Sequence, residues 1–135
     1  MGDGYTLTHS ERLKLRKQIE TLFRAGEAFS VYPFRVVYTC TQERGPKDAP
    51  VRVGFSVPKK RMPHAVQRNR IKRLCREAWR LQKHALYPLV PADKQMHLFF
   101  IFIGKEIPDF KESKQAVSGI IHNLQEKLRK LDPAG

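Results

Sequence analysis

The spacing of apolar residues first predicts a helix near the N-terminus. Residues 8–26 repeat apolar positions at helical intervals, namely Ile19, Leu22 and Phe23. Thr8 and Glu11 have the spacing of a capping box, and Gly26 provides a stop. The first turn can equally be a flexible lead-in, so the helix itself is predicted from Arg16.

Two segments rich in β-branched and aromatic residues follow, at 33–41 and 51–57. In the first, alternation places one set of side chains on a common face: Phe34, Val36, Tyr38 and Cys40. In the second, the apolar alternation is cleaner: Val51, Val53, Phe55 and Val57. Glycine and prolines punctuate the connection between the two segments. We therefore predict two strands that pair as a hairpin.

From Pro63 to about residue 84 the pattern is again helical. Its apolar stripe is Ile71, Leu74, Ala78, Leu81 and Ala85. The opposite side is cationic and carries Lys72, Arg73, Arg76 and Arg80, with Arg68 at its edge. The pattern predicts a helix with an apolar back and a cationic front.

A short, continuously apolar run at 97–104 is typical of a strand buried on both faces. Asp109 and Glu112 then have capping-box spacing before a last helix. Its core stripe is Val117, Ile120, Ile121, Leu124, Leu128 and Leu131. The order is therefore α-β-β-α-β-α, and the strands joined by the second helix can be parallel, as in a βαβ unit.

These elements predict an α/β fold of the α+β sandwich kind, a small mixed sheet packed with helices. The length of 135 residues suits one domain, with flexible ends at 1–9 and 132–135. No apolar run approaches the roughly 20 residues that span a membrane, and no signal core opens the chain, so we expect a cytoplasmic protein. Cys40 and Cys75 lack metal-ligand spacing and should be reduced and buried.

Charge gives the first indication of function, because the formal net charge is +13. A basic domain of this size usually meets a polyanion. Residues 59–80 hold one acid, Glu77, against a dense set of basic residues: Lys59, Lys60, Arg61, Arg68, Arg70, Lys72, Arg73, Arg76 and Arg80. A solvated helix face normally alternates the sign of its charges and gains from ion pairs. This one predicts phosphate binding, with Asn69 as an added polar contact.

The identity of the polyanion is less constrained by composition. Membrane binding is disfavoured because the apolar stripe is needed for the core, and DNA because the helix lies between strands rather than in a short helical motif. Aromatic residues beside a basic strip favour single-stranded RNA. Phe23, Tyr38 and Trp79 are candidates, although core packing is the alternative for each and is favoured for Phe23.

No arrangement of residues predicts catalysis by the protein itself. The histidines at 64, 84, 97 and 122 are scattered, acids are sparse, and no Gly-rich phosphate loop is present. A two-metal carboxylate site is therefore improbable. The residues point to a protein that binds a polyanion rather than to an enzyme in its own right.

The segment 51–80 closely resembles the core of the bacterial ribonuclease P protein subunit. The family motif is a strand ending in Ser-Val-x-Lys-Lys, followed by Arg-Asn-Arg-x-Lys-Arg-x-x-Arg. The matching residues are Ser56, Val57, Lys59, Lys60, Ala65, Arg68, Asn69, Arg70, Lys72, Arg73 and Arg76. The resemblance extends more weakly over nearly the whole chain.

This resemblance implies a protein subunit that binds a catalytic RNA and the 5′ leader of precursor tRNA, while the RNA subunit removes the leader. Mg²⁺ would be held mainly by RNA and not tightly by the protein alone, and no DNA or membrane partner is expected. It also implies a left-handed βαβ crossover. By the resemblance, the RNA-facing set would be Arg68, Asn69, Arg70, Lys72, Arg73 and Arg76, and the leader cleft would be Ile19, Phe23 and Tyr38. The charge pattern adds Lys59, Lys60, Arg61 and Arg80 to the RNA-binding set, and we also expect Ser56 in the cleft.

Two alternatives come from other classes. A structural RNA-binding protein, such as a small basic ribosome component, would share the cationic helix but would not support cleavage of precursor tRNA. A free-standing nuclease would cleave without added RNA, and the lack of an acid cluster argues against it.

Overall fold

The computed structural model describes residues 7–131, and in this range three helices surround a four-stranded sheet. The helices are α1 (Arg16–Ala25), α2 (Ala65–Gln82) and α3 (Phe110–Leu131). The strands are β1 (Glu27–Val31), β2 (Phe34–Glu43), β3 (Val51–Ser56) and β4 (Lys94–Phe102). Of the predicted flexible ends, 1–6 and 132–135 lie outside the described residues.

The sheet has the order β1-β2-β4-β3. β3 and β4 pair in parallel and are joined through α2, which confirms the predicted βαβ unit, while its hand stays a prediction. The predicted hairpin between β2 and β3 is wrong, because β4 lies between them and pairs antiparallel with β2. β4 lies inside the sheet, and its continuous apolar run is covered on both faces, by α2 and α3 on one and by α1 on the other.

β2 forms its hairpin with β1 instead, a strand that the sequence pattern did not indicate. β1 is short, and its side chains are exposed or half-buried along its length. It therefore lacks the apolar alternation by which strands are recognised.

The two faces of the sheet are covered differently. α2 and α3 pack on one face over the larger core, which includes Val36, Phe100, Trp79 and Ile120. α1 covers the other face through a smaller cluster of Leu13, Leu22 and Val37, with Ile19, Phe99 and Ile101 packed against it. The result is a three-layer arrangement with one helix on one side and two on the other.

α3 follows its prediction closely. Glu112 N donates to Asp109 Oδ1 at 2.8 Å and Asp109 N donates to Glu112 Oε1 at 3.1 Å, which completes the capping box. The predicted stripe is buried at its first five positions: Val117, Ile120, Ile121, Leu124 and Leu128. The side chain of Leu131 lies outside the described set.

α2 follows its prediction only in part. It begins at Ala65, so Pro63 lies outside it. Its buried residues are Ile71, Cys75, Ala78 and Trp79, whereas Leu81 is 40% exposed and Leu74 half-buried. Ala85 is exposed and lies beyond the end of the helix. The buried stripe is turned toward Cys75 and Trp79 because the Trp79 ring packs against Phe100 at 5.9 Å.

Residues 7–14, here called the N-terminal strap, run along the outer edge of β3. Leu13 N donates to Val53 O at 2.9 Å, and Ala49 N donates to Ser10 Oγ at 2.8 Å. Thr8 N does donate to Glu11 Oε1 at 2.8 Å, but this contact closes a 3₁₀ turn at His9–Glu11 and does not cap α1.

A buried ion pair fastens the strap to the end of α2. Lys83 Nζ lies 2.7 Å from Glu11 Oε2, with the two side chains 2% and 7% exposed, and the Tyr87 hydroxyl also donates to that carboxylate. Burial opposes ionisation of Glu11, but the hydrogen bonds from Lys83, Thr8 and Tyr87 outweigh it and lower its pKa. Glu11 is therefore held as a carboxylate.

Cys75 is buried and Cys40 half-buried, and both are free thiols, so only Cys75 matches the predicted full burial. None of the helices in residues 7–131 combines the length and apolar character needed to cross a membrane.

Candidate nucleic-acid interface

The exposed part of the cationic front of α2 comprises Asn69, Arg70, Arg73 and Arg76. Lys72, Arg68 and Arg80 are half-buried. Arg76 places its guanidinium 5.7 Å from the centre of the Phe55 ring, a cation–π contact that orients the group at the surface. The predicted arginine cluster is thus present on one side of the helix.

Arg68 is more tightly held than the sequence suggests. Its Nη1 donates to Met62 O at 3.0 Å and to Pro63 O at 2.7 Å. These bonds hold the loop that leads into α2, so Arg68 supports the shape of the interface in addition to its charge.

Arg80 departs from the expectation that the cationic face of α2 lacks ion pairs. Its guanidinium forms an ion pair with Glu77, which lies three residues earlier. The neighbouring acid offsets part of the charge at this end of the helix, so the cationic surface is strongest toward the start of α2.

Lys59, Lys60 and Arg61 are exposed on the turn before α2. Arg61 N and Met62 N both donate to Pro58 O, and the buried Met62 side chain anchors the turn in the core. α2 begins after His64 without a capping side chain and with no acid in its first turn. Its N-terminal N–H groups and positive dipole end therefore add to the basic surface.

Ile19 and Phe23 lie on α1 and contact the face of the sheet that this helix covers. Phe23 is 50% exposed and meets the Phe99 ring edge to face, with centroids 5.3 Å apart. The prediction that favoured Phe23 as a core residue is therefore wrong, because it lies at the rim of the thin α1 layer. Ile19 is half-buried against the same cluster.

The strand register places three further residues in one row on the same face of the sheet. Ser56 pairs with Ile101, and Ile101 pairs with Arg35, which forms a row across three strands. Arg35 is exposed, while Ser56 and Ile101 are half-buried. Sequence reasoning missed Phe99, Ile101 and Arg35, although alternation in the two central strands places them on the same face.

The structure does not bring Tyr38 together with Ile19 and Phe23. Tyr38 is 6% exposed and belongs to the core on the opposite face of the sheet. Its hydroxyl donates to Glu27 Oε1 at 3.3 Å, and burial together with that carboxylate raises the pKa of Tyr38 to about 12. Trp79 is fully buried as well, so core packing is the outcome for both aromatic residues.

A polar group lies beneath the face that α1 covers. His97 is buried beside Gln95, with its Nε2 3.1 Å from Gln95 Oε1. Burial and the nearby Arg52 guanidinium lower the pKa of His97 to about 4, so its imidazole is neutral at pH 7. Within residues 7–131 no three or more His, Cys, Asp or Glu side chains gather as metal ligands.

Comparison with known proteins places this geometry in a family. The family model described as Ribonuclease P matches residues 7–125. The ribonuclease P protein component of Porphyromonas gingivalis is 44% identical over 115 residues, covering 84% of this chain and 82% of that protein. That of Chlorobium phaeobacteroides is 35% identical over 129 residues, covering 89% and 88%.

The fold agrees with a solved structure. The Staphylococcus aureus RNase P protein superposes with a TM-score of 0.63 over 84% of this chain and 94% of that one, at 19% identity. The α+β arrangement is therefore shared even where the sequences have diverged.

Proposed function

We propose, for a chain that belongs to the ribonuclease P protein component family, that it binds the catalytic RNA subunit and the 5′ leader of precursor tRNA. Family membership itself establishes a protein component that acts in tRNA processing as part of an endoribonuclease complex. The proposal adds which surface meets which RNA, and that the RNA subunit carries out hydrolysis.

The observation that carries the proposal is the exposed arginine set of α2, continuous with Lys59, Lys60 and Arg61 on the preceding turn. A guanidinium group can donate two parallel hydrogen bonds to the oxygens of one phosphate. Several guanidinium groups clustered on one face repel one another unless a polyanion neutralises them. We assign this surface to the RNA subunit.

We place an unpaired leader strand in a cleft formed by α1 and the neighbouring face of the sheet. Phe23 offers an exposed ring, Ile101 an apolar floor, and Arg35 a cation at the far end of the same row. Ile19 supplies apolar contact. Ser56 and Ile19 stay in the proposed cleft, and Tyr38 supports it from behind the sheet.

We further propose that the magnesium ions of the assembled enzyme are bound mainly by RNA. The described side chains offer no cluster of carboxylates or imidazoles that fits such an ion. The protein would act by binding and positioning RNA.

The decisive experiment is cleavage of precursor tRNA by a bacterial ribonuclease P RNA at low Mg²⁺, with and without this protein. We expect the protein to restore cleavage at the leader junction and to be inert alone. Binding to the RNA without stimulation would favour a structural RNA-binding protein, and cleavage by the protein alone would favour a nuclease.

The leader cleft has its own test. Phe23→Ala should weaken binding of precursor tRNA to the assembled enzyme by about 1–3 kcal/mol, the range for loss of one base–aromatic contact. Mature tRNA, which lacks the leader, should bind equally to both proteins. An equal loss of affinity for precursor and mature tRNA would contradict a contact between Phe23 and the leader.

A further inference from the structure

A groove runs between the N-terminal strap, which lies outside the segment that carries the family motif, and the motif-bearing helix α2. Arg12 lines it from the strap, and Arg73, Arg76 and Arg80 line it from α2, around a volume of about 230 Å³. A second hollow of about 150 Å³ shares Arg12 and Arg76 and continues to Lys14. The two form one cationic channel along the outer edge of β3.

Charge in this groove is unbalanced. Glu77 is the one acid among the described residues that line the larger hollow, and it forms an ion pair with Arg80. Three further guanidinium groups, those of Arg12, Arg73 and Arg76, share the same small volume. Such a cluster favours a ligand that brings several negative charges spaced along a chain.

The strap holds Arg12 in the groove through contacts on both sides. Glu11 is fixed by the buried ion pair with Lys83, and Leu13 N donates to Val53 O. Arg12 O itself accepts from Arg52 Nη1 at 3.4 Å. With the backbone fixed before, at and after Arg12, little conformational freedom remains to be lost when a ligand binds.

We propose that the strap is part of the RNA interface, with Arg12 contacting the phosphodiester backbone of the catalytic RNA subunit and the Glu11–Lys83 pair positioning Arg12. The inference rests on the proposed function and adds a second element to its RNA surface. The channel adjoins α2 at the edge strand β3, whereas the proposed leader cleft lies on the face covered by α1.

The first test measures affinity for ribonuclease P RNA over a range of KCl concentrations. Arg12→Ala should weaken binding about fivefold to tenfold and reduce the salt slope by about one, as for loss of a single phosphate contact. Arg129→Ala removes the same charge from an exposed site on α3 and should change affinity less than twofold. If Arg12→Ala matches the wild type in affinity and slope, the inference is overturned.

A second measurement, with the assembled enzyme, decides whether Arg12 contacts the RNA subunit or the leader of precursor tRNA. Once the complex is formed, the enzyme that carries Arg12→Ala should bind precursor tRNA as tightly as the wild-type enzyme does, and the same should hold for mature tRNA, which lacks the leader. A loss confined to the leader-bearing RNA would overturn the assignment to the RNA subunit. If the wild-type protein fails to bind ribonuclease P RNA at all, the proposed function fails as well, which distinguishes the two.

The positioning role requires a paired design. The double variant Glu11→Gln, Lys83→Met removes both buried charges together, because one alone would leave the other unpaired. In that background Arg12→Ala should reduce RNA affinity less than twofold. An unchanged effect of Arg12→Ala would overturn positioning. Tyr87→Phe, which removes one hydrogen bond to Glu11, gives the same test with a smaller perturbation and should shrink the Arg12→Ala effect in part.

Discussion

α2 and α3 pack side by side on one face of the sheet, yet their ends are built differently. α3 starts with a complete capping box and places Glu112 in its first turn. α2 starts after His64 with neither a capping side chain nor an acid, and it clusters arginines along one face. The contrast indicates that α3 is arranged for stability, whereas α2 lacks these capping contacts and carries like charges that the proposed RNA partner would neutralise.

The largest expected effect comes from reversing charge on one helix and then on the other. Arg73→Glu with Arg76→Glu should weaken binding to ribonuclease P RNA by about 3 kcal/mol or more, over 100-fold, because contacts are lost and repulsion is added. Lys111→Glu with Lys114→Glu makes the same charge change on exposed positions of α3. If both double variants lose RNA affinity to a similar extent, net charge rather than the α2 surface determines binding, and α2 and α3 do not differ in this respect.

Acidification tests the shared sheet rather than the interface. Because the pKa of His97 is lower in the folded state than in the unfolded one, the unfolded chain takes up the proton first as pH falls. Stability should therefore be lost as pH falls from about 6.5 toward 4, by about 2 kcal/mol between pH 7 and 5. Urea denaturation across this range checks it, and His97→Gln should flatten the dependence; an equal slope in that variant would contradict the assignment.

The cap of α3 is the next target. Asp109→Ala should lower the free energy of unfolding by about 1 kcal/mol, since Glu112 N loses its acceptor at Asp109 Oδ1. RNA affinity should stay within twofold. Thermal or urea denaturation beside a binding assay checks both, and a large loss of affinity would mean that α3 also serves the interface.

The smallest effect is a gain. His64→Ser introduces the capping side chain that α2 lacks, and it should raise the free energy of unfolding by about 0.5–1 kcal/mol. If α2 does give up stability for RNA, the more stable variant should also bind RNA slightly less well. If the free energy of unfolding and the RNA affinity both rise, α2 does not exchange stability for RNA binding.

The long elements were predictable because amphipathic periodicity over many residues leaves little choice. The pairing of the strands was not, since it depends on which strand is buried on both faces. β4 displaced the predicted hairpin for this reason, and the short, exposed β1 had no pattern to reveal it. The buried face of α2 differs from the predicted stripe because the bulky Trp79 side chain packs against Phe100 of the sheet.

For the candidate site, local spacing predicted the arginine face of α2 but not the elements brought to it. Arg12 is held at the groove by the neighbouring ion pair between Glu11 and Lys83. These two residues are 72 positions apart, and the periodicity of apolar residues cannot predict a contact at such a separation. Tyr38 was assigned to the cleft by resemblance, whereas strand alternation already placed it with Phe34 and Val36. Alternation was the better guide there.

The strap has a consequence for how the free protein behaves before any RNA binds. An exposed outer strand presents unpaired N–H and C=O groups on which other chains can add, the usual start of aggregation. Here Leu13 N satisfies Val53 O on that side of β3, and the opposite border of the sheet is the five-residue β1. A chain shortened past Leu13 would uncover this edge of β3, so we expect it to self-associate more readily than the full chain.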